Sequence, residues 1–250
     1  MLHHEIKGKG SPVVLLHGYL ENLKMWNIIA EELSDSHQVI LLDLPGHGKS
    51  KNLTEVHSME LMAEAVHETL KKLEIKNPVF IGHSMGGYVI LAYADLFPEE
   101  ISSFLLLNSS TLADSPEKKE QRLKAVETAG RNLDTLIKMS IPTLFAEKNL
   151  EQLKKEMEFT KSLARETSIG GVTAALKGIR LRPDRSFLLN EFKGKIGILI
   201  GKYDKSVDPE ALKNKIPEKE NISVLELETA HMAHLEAPKE TLEFIREFLN

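Results

Sequence analysis

Six short apolar runs constrain what this chain can fold into. Residues 12–16, 38–42, 78–81, 103–107, 196–200 and 222–227 are mostly aliphatic, and most lack the polar alternation of a half-exposed strand, so they read as strands buried on both faces. Between them, residues 23–33, 58–73, 88–96, 209–215 and 239–249 place apolar side chains at three- and four-residue spacing, as amphipathic helices do. This alternation predicts an α/β fold with a mostly parallel, doubly wound sheet.

The rhythm breaks at residues 112–188. No strand is legible there, and helical stretches at 118–129 and 150–165 lie between the turn-prone pairs Ser115-Pro116, Ile141-Pro142 and Arg182-Pro183. The segment carries 15 basic and 11 acidic residues, whereas the rest of the chain is net acidic, which sets it apart as a unit. The expectation is a helical cap at 112–188 inserted into a core formed by residues 1–111 and 189–250.

Composition excludes several function classes. With 32 Lys and Arg against 37 Asp and Glu the formal charge is −5, so no positive field draws the chain to nucleic acid or to an anionic membrane, and neither is expected as a partner. The absence of cysteine removes disulfides, thiolate metal sites and a cysteine nucleophile. No apolar run approaches the ~18 residues of a membrane span. The opening residues Met1-Leu2-His3-His4-Glu5-Ile6-Lys7 lack the apolar centre of a signal peptide, and a soluble, cytoplasmic protein is expected.

The chemistry concentrates at Gly82-His83-Ser84-Met85-Gly86, a G-x-S-x-G pattern between an apolar run and a helical one. A sharp strand-to-helix turn there strains the backbone of Ser84 and presents its hydroxyl above the sheet, with glycines on either side allowing close chain approach. A serine hydroxyl needs a base to take its proton, a carboxylate to orient the base, and donors for the developing oxyanion.

Asp204 follows the apolar run 196–200, where the carboxyl ends of parallel strands collect functional groups. Asp208 is its rival, but it precedes Pro209 and reads as a helix N-cap. His231 lies in the loop after residues 224–227. His234, three residues on, reads as a packing or pocket-wall residue. The chain order Ser84, Asp204, His231 differs from the orders of chymotrypsin and subtilisin. The two oxyanion donors are expected from the backbone N–H groups of Met85, which follows the nucleophile, and of Tyr19, which follows Val13-Val14-Leu15-Leu16-His17-Gly18.

Other readings of these residues are weaker. His17, His47 and His83 sit in separate glycine-containing loops without the i, i+4 spacing of a helical metal site, so no metal is expected. Asp43-Leu44-Pro45-Gly46-His47-Gly48 lacks the lysine of a phosphate-binding loop and reads as a turn closing the site's rim. Trp26 on the first amphipathic stretch reads as a core residue.

Taken together, His17-Gly18, Asp43 to Gly48, Gly82 to Gly87, Gly201-x-x-Asp204, and His231 followed by Glu236-Ala237-Pro238 resemble the α/β-hydrolase superfamily over the whole chain. The insertion, through residues 111–117 and 180–185, resembles small bacterial carboxylesterases and 3-oxoadipate enol-lactonase-like proteins. Ala230 departs from the glycine often found before the histidine in this family. Some relatives carry the acid after the earlier strand, where this chain has Asn108.

The resemblance implies a serine hydrolase for a small-molecule ester or lactone substrate, working without a cofactor. Alternatives on the same fold are carbon–carbon bond hydrolysis, a hydroxynitrile-lyase-type reaction, or a slow-turnover ligand-binding receptor. Arg180, Arg182 and Arg185 are expected either to be solvated or to meet a carboxylate-bearing substrate.

Overall fold

The computed structural model describes residues 1–250. Seven strands, β1 (His4–Lys7), β2 (Ser11–Leu16), β3 (His37–Leu42), β4 (Val79–His83), β5 (Ser103–Leu107), β6 (Ile196–Gly201) and β7 (Ile222–Leu227), form one sheet in the order β1-β3-β2-β4-β5-β6-β7. Every neighbouring pair is parallel except β1–β3. The sequence reading missed β1 because His4-Glu5-Ile6-Lys7 is short and polar. It forms an antiparallel edge, in register His4 with Leu42, that needs little burial. At the other edge β7 is only partly covered, unlike the fully buried β6.

Period-two alternation sends successive strand residues to opposite faces. Val13, Leu15, Val39, Leu41, Leu105 and Leu199 join Trp26, Ile29 and Leu33 with Phe244, Ile245 and Phe248 on one face. These come from α1 (Asn27–Leu33) with the short 3₁₀ turn before it, and from α11 (Pro238–Leu249). Val14, Leu16, Ile40, Phe80, Leu106 and Ile198 pack on the other face. There they meet α2 (Met59–Lys72), α3 (Met85–Leu96), α8 (Leu188–Glu191) and α9 (Pro209–Lys213). The expected helix at 23–33 is split, because the Asn22 side chain accepts from Lys24 N and Asp43 accepts from Leu23 N, tightening its first turn.

Between β5 and β6 the chain is helical: α4 (Pro116–Arg131), α5 (Leu133–Ser140), α6 (Lys154–Arg165) and α7 (Ile169–Leu181), with α8 leading back to the sheet. These helices enclose a third apolar cluster, in which Leu136, Ile137, Ile141, Phe145, Val172 and Leu176 pack with Leu20 and Met232 from loops of the sheet layer. Helices α5 and α7 were not anticipated. In α7, Gly170, Gly171 and Gly178 weaken the propensity signal, yet Gly178 lies so near the His57 carbonyl that a Cβ would collide with it. The helix therefore packs backbone to backbone, a contact that an amphipathic pattern does not reveal.

Both expectations for the arginines are corrected. Arg182 is buried, pairs with Asp114 at 2.9 Å and lies 4.0 Å over the Tyr88 ring. Arg185 is buried between Asp95 at 3.1 Å and Glu60 at 2.5 Å. Neither is solvated, and none of the three, Arg180 included, lines the cavity described below. Arg182 over Tyr88, and Arg185 through Glu60 and Asp95, fasten the returning chain to α2 and α3.

Trp26 is fully buried and lies outside that cavity. Trp26→Ala is expected to cost about 3–5 kcal/mol in urea unfolding, with KM for any turned-over substrate unchanged in the folded fraction.

Candidate active site

Ser84 joins β4 directly to α3 at φ 49° and ψ −113°, a left-handed conformation costly for any residue with a Cβ. The strand, buried at Phe80 and Ile81, and the helix, buried along one whole turn after another, hold it there. Gly86 is the close approach: a Cβ on it would meet the Leu16 carbonyl oxygen. The Ser84 carbonyl accepts from the Ser109 hydroxyl at 2.7 Å, and its N–H donates to the Leu107 carbonyl at 2.9 Å.

The Ser84 Oγ lies 2.8 Å from His231 Nε2, and His231 Nδ1 lies 2.7 Å from Asp204 Oδ2. The other Asp204 oxygen accepts from the backbone N–H groups of Ser206 and Val207 at 2.7 and 3.0 Å. Burial raises the Asp204 pKa, but His231 and these amides outweigh it and hold the carboxyl below its ordinary value. Asp208 instead accepts from Ala211 N at 3.0 Å and caps α9. His234 lines no part of the cavity; it is packed between Trp26 and His83, and burial pushes its pKa down to about 3.

Met85 is the first residue of α3, so its N–H has no intrahelical acceptor. The Tyr19 N–H has no protein acceptor either. The Asp43–Gly48 turn does not reach the cavity rim. Gly46 packs against Gly171 of α7, and Asp43 accepts from Lys49 N at 2.8 Å and Leu23 N at 2.9 Å. His17 Nε2 accepts from Leu44 N at 2.9 Å while its Nδ1 faces the Gly18 carbonyl at 2.8 Å, which leaves that imidazole neutral with no free lone pair for a metal.

The sequence reading assigned no supporting role to several residues. Asn108, in a left-handed conformation after β5, donates to the Ala230 carbonyl at 2.8 Å and lies 3.4 Å from Asp204, so it steadies both acid and base loops. Glu236, just beyond the base, accepts from Ala230 N at 2.8 Å and from Ala146 N and Asn149 Nδ2 at 2.9 Å. The His231 N–H donates to the Leu144 carbonyl at 2.9 Å, so the overlying helical segment grips the His231 loop directly.

A cavity of about 290 Å³ opens above Ser84 and His231. Leu20, Ala125, Leu136, Leu144, Leu176 and Ile179 form its apolar wall. Lys118, Arg122 and Lys205 bring positive charge to it. Asp114, its side chain fully buried, holds Arg122 at 3.0 Å. Lys118 donates to the Ser206 carbonyl, and burial together with Arg122 lowers its pKa.

The fold and this site define the class. A family model described as the alpha/beta hydrolase fold matches residues 11–238, and the chain belongs to that family. It is 30% identical, over 98% of its length, to the dihydrolipoyllysine-residue acetyltransferase component of the acetoin cleaving system from Pseudomonas putida, of which it spans 65%. Against a putative non-heme haloperoxidase of Mycobacterium phage D29 it is 34% identical over 41% of its own length, and the match covers 37% of that protein. The chain thus spans less than two thirds of the length of these relatives.

Among solved structures, a thermophilic esterase from Thermogutta terrifontis with malate bound superposes with a TM-score of 0.91 at 30% identity, covering 99% of this chain and 92% of that one. An enol-lactonase from Burkholderia xenovorans LB400 shares the fold, with a TM-score of 0.90 at 22% identity over 99% and 96% of the two chains. No helix is long and apolar enough to cross a membrane.

Burial raises the Asp114 pKa, but Arg122 and Arg182 outweigh it and leave the folded value lowered. Its stabilisation is therefore present above the ordinary carboxylate pKa of about 4 and lost as pH falls through the folded value. Asp114→Asn is expected to lose about 1–3 kcal/mol at pH 7 and to show a shallower acid decline below pH 4 in urea titrations at stepped pH.

Proposed function

We propose that the protein is a serine hydrolase for small carboxylic esters or lactones. The observation that carries this reading is the chain of contacts Ser84 Oγ, His231 Nε2, His231 Nδ1, Asp204 Oδ2, at 2.8 and 2.7 Å, beneath a cavity with unpaired amides at its edge. Ser84 Oγ attacks the carbonyl carbon as His231 Nε2 takes its proton. The Tyr19 and Met85 amides hold the oxyanion. Collapse expels the alcohol, which takes the proton back from His231 and leaves an acyl-Ser84 ester. Water, deprotonated by His231, then attacks that ester and releases the acid. Asp204 stays ionised, orienting the imidazole and stabilising its cation.

The helical segment 112–188 serves in this reading as a cap that roofs the site and limits acyl and alcohol size. Its cations, Lys118 and Arg122, with Lys205 from the opposite loop, favour a substrate bearing a carboxylate away from the scissile bond. They take over the role first considered for Arg180, Arg182 and Arg185.

Ser84→Ala is expected to abolish turnover of p-nitrophenyl esters and labelling by a fluorophosphonate; labelling at another serine would end the assignment. Asp204→Asn should lower kcat by on the order of 10⁴, whereas Asp208→Asn should cost about 1 kcal/mol of stability or less. His231→Ala should likewise collapse kcat, while His234→Ala acts on folding stability.

For matched anionic and neutral esters, kcat/KM should favour the anion by a charge-assisted contact of about 1.5–3 kcal/mol. The preference should shrink with salt and in Lys118→Gln or Arg122→Gln. A steady preference for the neutral ester would sink the anionic reading.

A further inference from the structure

His83, the residue before the proposed nucleophile, is buried at 2% exposure, and both its ring nitrogens face acceptors. Nδ1 lies 2.8 Å from Glu21 Oε2, and Nε2 lies 2.9 Å from the backbone carbonyl of His231. A carbonyl oxygen has no proton to give, and a neutral imidazole has only one. With Glu21 ionised, both contacts are hydrogen bonds only if the ring carries two protons.

The surroundings fit that charge. Glu21 is itself buried at 2% exposure, and the same Oε2 that meets His83 accepts the Gly18 N–H at 2.7 Å. The other groups facing the ring are His17, His231, His234 and Asp204. His17 is neutral by its hydrogen bonds, His234 is neutral by burial, and Asp204 is engaged with His231. Glu21 is thus the countercharge that His83 can pair with directly. Burial opposes the ionisation of each partner, yet the pairing leaves the Glu21 pKa at about 2 and raises that of His83.

We infer that His83 is a permanent imidazolium at neutral pH and a positioning residue that ties three parts of the proposed site together. It adjoins Ser84 in the chain, holds the backbone of His231 through Nε2, and through Glu21 holds Gly18, whose neighbour Tyr19 supplies an oxyanion amide. The inference rests on the serine-hydrolase reading for its catalytic consequence, but not for the protonation state itself. While Glu21 stays ionised, removing one proton from the ring forces one of the two contacts to break, since a lone pair on either nitrogen would face an oxygen. The base loop then loses its fixed distance from the oxyanion loop while both hydrophobic faces of the sheet stay intact.

The test begins with the wild-type protein. In ¹⁵N-resolved NMR of the histidine rings, both His83 nitrogens should be protonated from pH 6 to 8, and the Gly18, Tyr19 and His231 amide signals should move together with the ring when it finally titrates. One unprotonated His83 nitrogen at pH 7 would overturn the inference, as would amides that ignore the ring's titration. Neither readout needs turnover, so a failure of Ser84 labelling strikes the proposed function and leaves this result readable.

Glu21→Gln then removes the countercharge with little change of shape. At the position of Oε2 a Gln oxygen can still accept from Gly18, but it no longer stabilises a cation on His83. The alkaline limb of kcat should move down by one pH unit or more, and kcat at pH 8 should fall at least tenfold with KM within twofold. A profile superimposable on wild type would overturn the positioning role. If the variant does not fold, the wild-type amide titration decides alone.

Discussion

A serine held in a left-handed backbone conformation is the constraint from which the site follows. An isolated peptide avoids φ 49° at such a residue, so the conformation persists only because the structure on both sides is over-determined. Strand β4 lies between β2 and β5, and α3 is buried along most of its length. The contact between Gly86 and the Leu16 carbonyl sets how near the helix comes to the end of β2. That is where His17, Gly18 and Tyr19 begin. The proposed nucleophile and the proposed oxyanion loop are consequently placed by one packing event.

Above the sheet the site lies where two apolar systems meet. Leu20 and Met232, each next to a proposed functional residue, leave the sheet layer and pack into the cluster of the helical cap. Tyr19 and His231 are thereby pinned from above by hydrophobic contact, and His231 also from within by hydrogen bonds. Charge inside this junction is met locally: Glu21 faces His83, Asp114 pairs with Arg122 and Arg182, and Asp204 accepts from the Ser206 and Val207 amides and faces His231 Nδ1. Buried charges that lacked such partners would neutralise or destabilise the fold.

The strand-and-helix rhythm and the elbow pattern were legible because each is local: burial on both faces writes a continuous apolar run, and a tight turn needs small residues at fixed offsets. Ser84, Asp204 and His231 could be located by following each apolar run to its end, and the structure brings them together. What was not legible depends on distance in the chain. Asn108, Glu21 and Glu236 act through a few hydrogen bonds to groups between 3 and 122 residues away, which leave no periodic trace. Edge strand β1 lacks the apolar pattern because its partner is a single neighbouring strand, and in α7 the glycines that let it approach bare backbone mask the apolar spacing of Val172, Ala175, Leu176 and Ile179. Arg182 and Arg185 read as surface residues because nothing in the sequence announces the carboxylates of Asp114, Glu60 and Asp95 that receive them.

The grip of residues 144–149 on the base loop bears on how such a chain can be recombined. The His231 amide is held by the Leu144 carbonyl, and Glu236 is held by Ala146 and Asn149. A helical segment borrowed from another protein would therefore bring its own geometry to His231, the proposed base, along with its own walls. On the proposed reading, substrate range and the alignment of the base are inherited as one module. A successful graft must reproduce a carbonyl at the place of Leu144 before any new pocket shape can matter.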